Sequence, residues 1–220
     1  MFIRIVEQAI DAKTSISYNE RAVHPVHEDK TYATRIDLKR SHLAREIVET
    51  LVLTFIIFAV IRFAIQSYRV EGVSMQPGLQ NDEYVLVNKM AYLFHTPDRG
   101  DVIVFHFPLD TSKDFIKRVI GLPGDTISYT STTVKVDRVM LNEPYISEKA
   151  NPLGKNPFVV PANDYFVVGD NRPASDDSRD WGFVPKDYVV GKVVMVYWPL
   201  AKWELINTYP GVFAQIKSNH

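Results

Sequence analysis

The chain has 220 residues, a formal net charge of -1, and a composition of 46% hydrophobic, 12% aromatic and 23% charged residues. That apolar content offsets the entropy of ordering one good-sized core and excludes disorder throughout. The near-zero charge gives no overall drive towards nucleic acid. The absence of cysteine excludes disulfides, thiolate zinc sites and cysteine nucleophiles.

In chain order, residues 1–45 read as a polar, mixed-charge tail on the cytoplasmic side, with one short amphipathic helix fitting Ile3–Ile10. An apolar run follows, Ile47 to Ile65, IVETLVLTFIIFAVIRFAI. As a helix it is about 28 Å long, close to the hydrocarbon thickness of a bilayer. Arg62 lies near its far end, where a long stem reaches the interface. A long buried helix in a soluble core is the plainer alternative. Residues 46–68 are expected to be a transmembrane anchor. Lys30, Arg35, Lys39, Arg40 and Arg45 precede the run and only Arg69 closely follows it, so the amino end is expected inside and the rest outside. The run starts too late, and lacks the small-residue cleavage pattern, for a removable signal peptide.

Beyond Tyr68 the pattern becomes short β-rich runs: Tyr84–Asn88, Val102–Phe107, Phe115–Ile120, Thr126–Tyr129, Thr133–Val136, Tyr165–Gly169 and Val189–Trp198. All are rich in β-branched and aromatic residues. Arg99-Gly100-Asp101, Leu122-Pro123-Gly124-Asp125 and Asn151-Pro152-Leu153-Gly154 stand between them as turns. The fold class expected is mainly β. A largely antiparallel β body over residues 69–208 carries a small inserted flap at about 129–160, preceded by one transmembrane helix and followed by a tail at 209–220.

Three stretches carry candidate chemistry. Ser74, in V-E-G-V-S-M-Q-P-G-L, follows the anchor closely, but a serine hydroxyl needs a base. His24, His27 and His42 precede the anchor, His220 ends the chain, and His95 and His106 read as turn and strand residues. Lysine is the other base, provided burial keeps it neutral. In Phe115–Ile120, alternation puts Phe115, Lys117 and Val119 on one face and Ile116, Arg118 and Ile120 on the other. Lys117 then emerges between apolar neighbours. An edge-strand lysine in water fits the same residues, and alternation alone leaves both open. The third stretch, Gly169 to Pro185, crowds Asp170, Asp176, Asp177 and Asp180 among arginines and serines, without a nearby histidine. That mixture points away from a metal site and towards a hydrogen-bonded scaffold or a solvated turn.

S-M-x-P at Ser74–Pro77, R-G-D-V-I-V-F at Arg99–Phe105, F-I-K-R-V-I-G-L-P-G-D at Phe115–Asp125 and G-D-N-R-x-x-S-x-D-S-R-x-W-G-x-V-P at Gly169–Pro185 resemble, in order, the four signature boxes of bacterial type I signal peptidases. The likeness covers roughly Val52 to Leu200. It implies a Ser-Lys dyad of Ser74 and Lys117 that cuts signal peptides from exported preproteins after small residues, as in Ala-x-Ala. It also implies that Ser175 orients the lysine, Asp177 and Arg179 hold the surrounding loop, and Asp170 and Arg118 form a supporting ion pair. The oxyanion hole is expected to use the Ser74 N–H. One branch of the family adds a hydroxyl two residues earlier; here that position is Gly72, so a nearby backbone N–H is expected instead. Gly78 stands where a threonine is usual. Val70, Met75, Leu79, Phe115 and Ile116 match the lining of shallow substrate pockets.

The partners implied are preprotein signal peptides, the lipid bilayer and neighbouring export machinery. Cofactor, metal and nucleic acid are not expected. The location implied is the bacterial cell (inner) membrane, single-pass, with the catalytic body outside the cytoplasm. A self-cleaving Ser-Lys protease of the SOS-repressor kind, and a non-catalytic anchored β-domain that binds emerging chains, are the alternatives.

Overall fold

A computed structural model of the chain describes residues 30–129, 134–146 and 155–216, with side chains from residue 42 and, in the last segment, from 157. The Ile3–Ile10 helix, His24, His27, His220, Thr133 and the turn at 151–154 lie outside the described residues, as does part of the expected flap.

The chain divides into two units, Met1–Leu53 and Thr54–His220. Helix α1, Lys30–Ala64, begins in the first unit and ends in the second. From His42 to Phe63 its side chains are exposed all round. Its stretch His42–Ala64 is long and apolar enough to cross a membrane by length and composition. The helix ends earlier than the expected anchor. Ile65–Arg69 form strand β1, because Ile65 to Arg69 pair residue by residue with Asn88 to Tyr84. A non-local ladder overrides the apolar run there.

The second unit continues with β2 (Tyr84–Asn88), β3 (Val102–Phe107), β4 (Asp110–Gly121), β5 (Thr126–Tyr129), β6 (Val134–Val136), β7 (Val139–Met140), β8 (Lys155–Val159) and β9 (Asp164–Val168). Then come the single turn α2 (Ser178–Trp181), β10 (Val184–Pro185), β11 (Val189–Trp198), β12 (Glu204–Leu205) and the single turn α3 (Pro210–Phe213). The main sheet runs β1-β2-β11-β3-β4-β9-β10, with β12 also on β11; a second sheet runs β7-β6-β5-β8. Every pairing is antiparallel, so the fold is mainly antiparallel β with an apolar helix before it. The stretch expected as a flap supplies β6 to β8, which join β5 as this second sheet.

Strand β3 is buried on both faces. Val102 and Val104 pack with Val70, Met75, Val85 and Val193, while Ile103 and Phe105 pack with Val119, Tyr165 and Val167. Period-two alternation thus feeds two cores from one strand. A third core, around Ile127, Val136 and Phe166, joins the second sheet to β9. Gly100 turns the chain into β3 at a φ of 91°, and a Cβ there would lie 2.0 Å from the Thr208 carbonyl oxygen. Only glycine meets both demands.

Candidate active site

Ser74 sits on an irregular loop that leaves β1 and returns to β2. The loop is closed at its neck, where the Val70 N–H donates to the Glu83 carbonyl at 2.7 Å and the Asp82 N–H donates to the Val70 carbonyl at 2.9 Å. At its tip, the Asn171 N–H donates to the Ser74 carbonyl at 3.0 Å, and its side-chain amide donates to the Val73 carbonyl at 3.1 Å. Met75 and Leu79 plug the loop into the core.

Lys117 comes from β4, opposite Ile103 on β3. Its Nζ lies 2.8 Å from Ser74 Oγ and 5.2 Å from the centre of the Phe115 ring. The residue is 4% exposed. Burial pushes its amine down to about 8, against the opposing pull of the Asp177 and Asp176 carboxylates. Among the described residues no carboxylate forms an ion pair with it. As drawn, the ammonium donates to the hydroxyl; once deprotonated, the same contact lets the hydroxyl donate to the amine.

The strand's other face serves a different end. Arg118 donates to both Asp170 carboxylate oxygens, at 2.9 and 2.7 Å. It also donates to the Gly100 and Asn207 carbonyls and stacks on Tyr145. This fully partnered arginine fixes the loop that follows β9 against β4.

In that loop Asp177 is 0% exposed and accepts five hydrogen bonds. They come from Ser175 Oγ at 2.6 Å, the Gly169 N–H at 3.0 Å, the Arg179 N–H, and Arg179 Nε and Nη2. Asp177 also caps α2, while Asp180 accepts the Asp177 N–H. Ser175 bonds Asp177 in this structure, and no bond from it to Lys117 is formed. The loop is therefore the hydrogen-bonded scaffold, and among the described residues no cluster of side chains suits a metal ion.

A cleft of about 550 Å³ opens over the pair, walled by residues 68–75 on one side and 113–117 on the other, with Ala174 and Asp176 beyond. Val70, Met75, Phe115 and Ile116 line it. Leu79 lies away from it, buried in the core and against the small cavity beside Arg118 and Asp170. Both walls carry an open backbone edge. Strand β1 ends the main sheet, and β9 pairs with β4 only from Arg118 onward. Ser74 N–H has no partner among the described hydrogen bonds, whereas Gly72 N–H is taken by Asn81 Oδ1 at 2.8 Å.

Several cleft residues were not expected. Tyr68 falls within the anchor expected from sequence, and Asp114 carries no motif signal of its own. They face each other, so that burial and the Asp114 carboxylate push the Tyr68 phenol up to about 12. Asn171 stands inside G-D-N-R, and that motif is the signal that marks it. Neither described histidine of the second unit bonds to Ser74: His106 bonds Asp114 at 2.7 Å and His95 lies edge-on to Tyr92.

Residues 43–198 match the family model described as signal peptidase, peptidase S26. A signal peptidase IB of Staphylococcus aureus is 33% identical over 185 residues, covering 75% of this chain and 94% of its own. A signal peptidase I of Leptolyngbya laminosa is 37% identical over 162 residues, covering 70% of this chain and 79% of its own. A crystal structure of a signal peptidase I from Enterococcus faecalis covers 44% of this chain and 96% of its own, with 37% identity and a TM-score of 0.39. The chain belongs to the signal peptidase family, peptidase S26, and is a hydrolase of the serine-peptidase class.

Proposed function

We propose that this protein is a membrane-bound endopeptidase that cuts signal peptides from exported preproteins, with Ser74 as nucleophile and neutral Lys117 as its base. The observation that carries this reading is the 2.8 Å contact between Ser74 Oγ and a buried Lys117 Nζ at the floor of the cleft. Ser74 Oγ attacks the scissile carbonyl as its proton passes to Nζ. The resulting oxyanion accepts the unpaired Ser74 N–H. Lys117 gives that proton to the departing amine, leaving an ester on Ser74. It then takes a proton from water, which attacks the ester, and returns that proton to Ser74 Oγ as the acyl part leaves.

An extended peptide fits between the two open strand edges, bonding by its main chain while alternate side chains face the apolar walls. Val70, Met75, Phe115 and Ile116 close in around Ser74 and favour small residues before the cut, of the Ala-x-Ala kind. The exposed apolar part of α1, ending at Ala64, is the single anchor. Its basic amino-terminal flank keeps that end cytoplasmic and puts the β body outside the bacterial cell membrane, close to where export machinery delivers preproteins. Ser74 is ten steps along the chain from Ala64, at most about 35 Å, so the nucleophile stays near the bilayer surface, where a cleavage site emerges.

The test is incubation of the full chain in vesicles with one preprotein, reading the product's new amino terminus by mass. Cleavage after a small residue is expected from the native protein, and loss by about 10³-fold or more from Ser74→Ala or Lys117→Ala. Near-native cleavage by either variant refutes the dyad.

A further inference from the structure

We propose that Phe107 and Trp181 are positioning residues for the Lys117 amine: they brace the Phe115 ring against it and so keep water out. This rests on the reading of Lys117 as the base and adds a second layer of side chains behind the cleft wall.

Strand alternation gives Ile103, Phe105 and Phe107 a common face on β3. The ladder with β4 sets Ile103 opposite Lys117 and Phe105 opposite Phe115, then shifts register between His106 and Phe107. Such a shift re-aims the side chain that follows it. Phe107 stacks on Phe115, with ring centres 4.5 Å apart and planes 12° from parallel. Trp181 meets Phe107 edge-on at 5.6 Å and Phe105 at 6.0 Å, and Phe105 lies edge-on to Phe115 at 6.4 Å. The four rings therefore form a closed circuit, in the offset and edge-on arrangements that aromatic pairs prefer. Of the four, Phe115 alone lines the cleft, and its centre lies 5.2 Å from Lys117 Nζ.

Two features set this circuit apart from ordinary core packing. Trp181 buries its indole N–H with no hydrogen-bond partner among the described residues, a cost that the fold bears to keep the ring in place. Trp181 also ends the α2 turn, where its backbone N–H donates to the Asp177 carbonyl at 3.2 Å, so the circuit is tied to the aspartate loop. Phe115 itself is only half-buried, and a ring at an open cleft changes rotamer unless its neighbours hold it. The groups that face the amine are Ser74 Oγ from its own loop, and Asp170, Asp176, Asp177 and Arg179 from the loop after β9. From β3 its cross-strand neighbour is the apolar Ile103. The ring attracts an ammonium and the carboxylates favour one, but burial is the larger influence and opposes it. A Phe115 ring that swings aside admits water and raises the amine's affinity for a proton.

The test is the pH profile of kcat/KM on one signal-peptide substrate, with the full chain in vesicles, for the native protein, Phe107→Leu, Phe107→Tyr and Trp181→Phe. Phe107→Leu stays apolar but removes the stack. Its inflection is expected about half a pH unit to one unit above the native one, with a rate about three- to tenfold lower at pH 7 and within about twofold of native at pH 10. Phe107→Tyr restores a ring and is expected to return the inflection to its native place. Trp181→Phe puts a smaller ring behind Phe107 and is expected to shift the inflection the same way by less; it decides the matter where Phe107→Leu does not fold. An inflection that stays at the native pH in these variants, with the rate unchanged or lowered evenly at every pH, overturns the proposal. A native profile without an alkaline rise, or near-native cleavage by Lys117→Ala, instead refutes the reading of Lys117 as the base.

Discussion

Lys117 and Arg118 are consecutive on β4, and the fold gives their charges opposite treatment. Arg118 meets a carboxylate through two parallel bonds and keeps its charge in a buried setting. Lys117 meets the Ser74 hydroxyl and the Phe115 ring, and burial pushes its amine down to about 8. At pH 7 about a tenth of it is then neutral. One strand thus carries a paired cation and an amine pushed down by burial, because its two faces look into different surroundings.

The rate should therefore follow the neutral amine. Its fraction grows as pH rises, so kcat/KM is expected to climb about tenfold per pH unit below about 8 and to level off above it. Initial rates on one peptide across pH 5 to 10 check this. A maximum in mild acid would contradict it.

Asp176 lines the same cleft, and its negative charge favours the Lys117 ammonium. Asp176→Asn is expected to move the inflection of that profile to lower pH. Because Asp176 is exposed, the shift is a fraction of a unit and shrinks with added salt. An unmoved inflection at low ionic strength would show that the charge does not reach the amine.

The same depressed amine bears on stability. The unfolded chain binds a proton that the folded chain resists, so stability rises with pH between about 8 and the lysine's usual 10.5. Below about 8 the full cost is present, on the order of 3 kcal/mol. Lys117→Met is accordingly expected to unfold at higher urea than the native protein at pH 7, with the gap closing near pH 10.5. Urea midpoints at the two pH values measure it.

Breaking the other cation's pair has the opposite sign. Asp170→Asn leaves Arg118 buried without its counter-charge and is expected to cost about 3–5 kcal/mol. The exposed Arg69–Asp82 pair provides the contrast, and Asp82→Asn should leave the urea midpoint where it was.

Gly169 gives a steric prediction. A Cβ there would lie 2.2 Å from Ser175 Oγ and 2.5 Å from the Ser74 carbonyl oxygen. Gly169→Ala must displace the Ser74 loop or the Asp177 loop, and with Ser74 as the proposed nucleophile a 1 Å displacement costs about 10²-fold in rate. Single-turnover rates beside a melting curve separate this from simple unfolding.

Much of this was legible in the residues, and the exceptions have physical causes. Val102–Phe107 and Tyr84–Asn88 were readable as strands because β-branched runs between turn residues leave little choice of conformation. Alternation put Lys117 beside Phe115, although only three-dimensional packing settles whether water reaches it. Residues 65–68 could not be separated from the expected anchor, since their partner strand lies some twenty residues away and no glycine or proline marks the boundary. Leu79 stood close enough to Ser74 in sequence to suggest the cleft, yet an apolar side chain looks the same on a pocket wall as in a core. Asp176 and Asp177 are adjacent and chemically identical. Nothing local tells which one turns inward to collect five hydrogen bonds and which faces the cleft.

The closed neck between Val70 and Glu83, with Asn171 gripping the tip of the loop, has a mechanical consequence. Between residues 70 and 83 the loop is held by backbone contacts to its own neck and to Asn171, none of them to the helix. The serine takes its aim from the far strand β9 and the turn that follows it. The position of Ser74 is thus set from within the sheet, like a blade clamped to the bench and not to the floor.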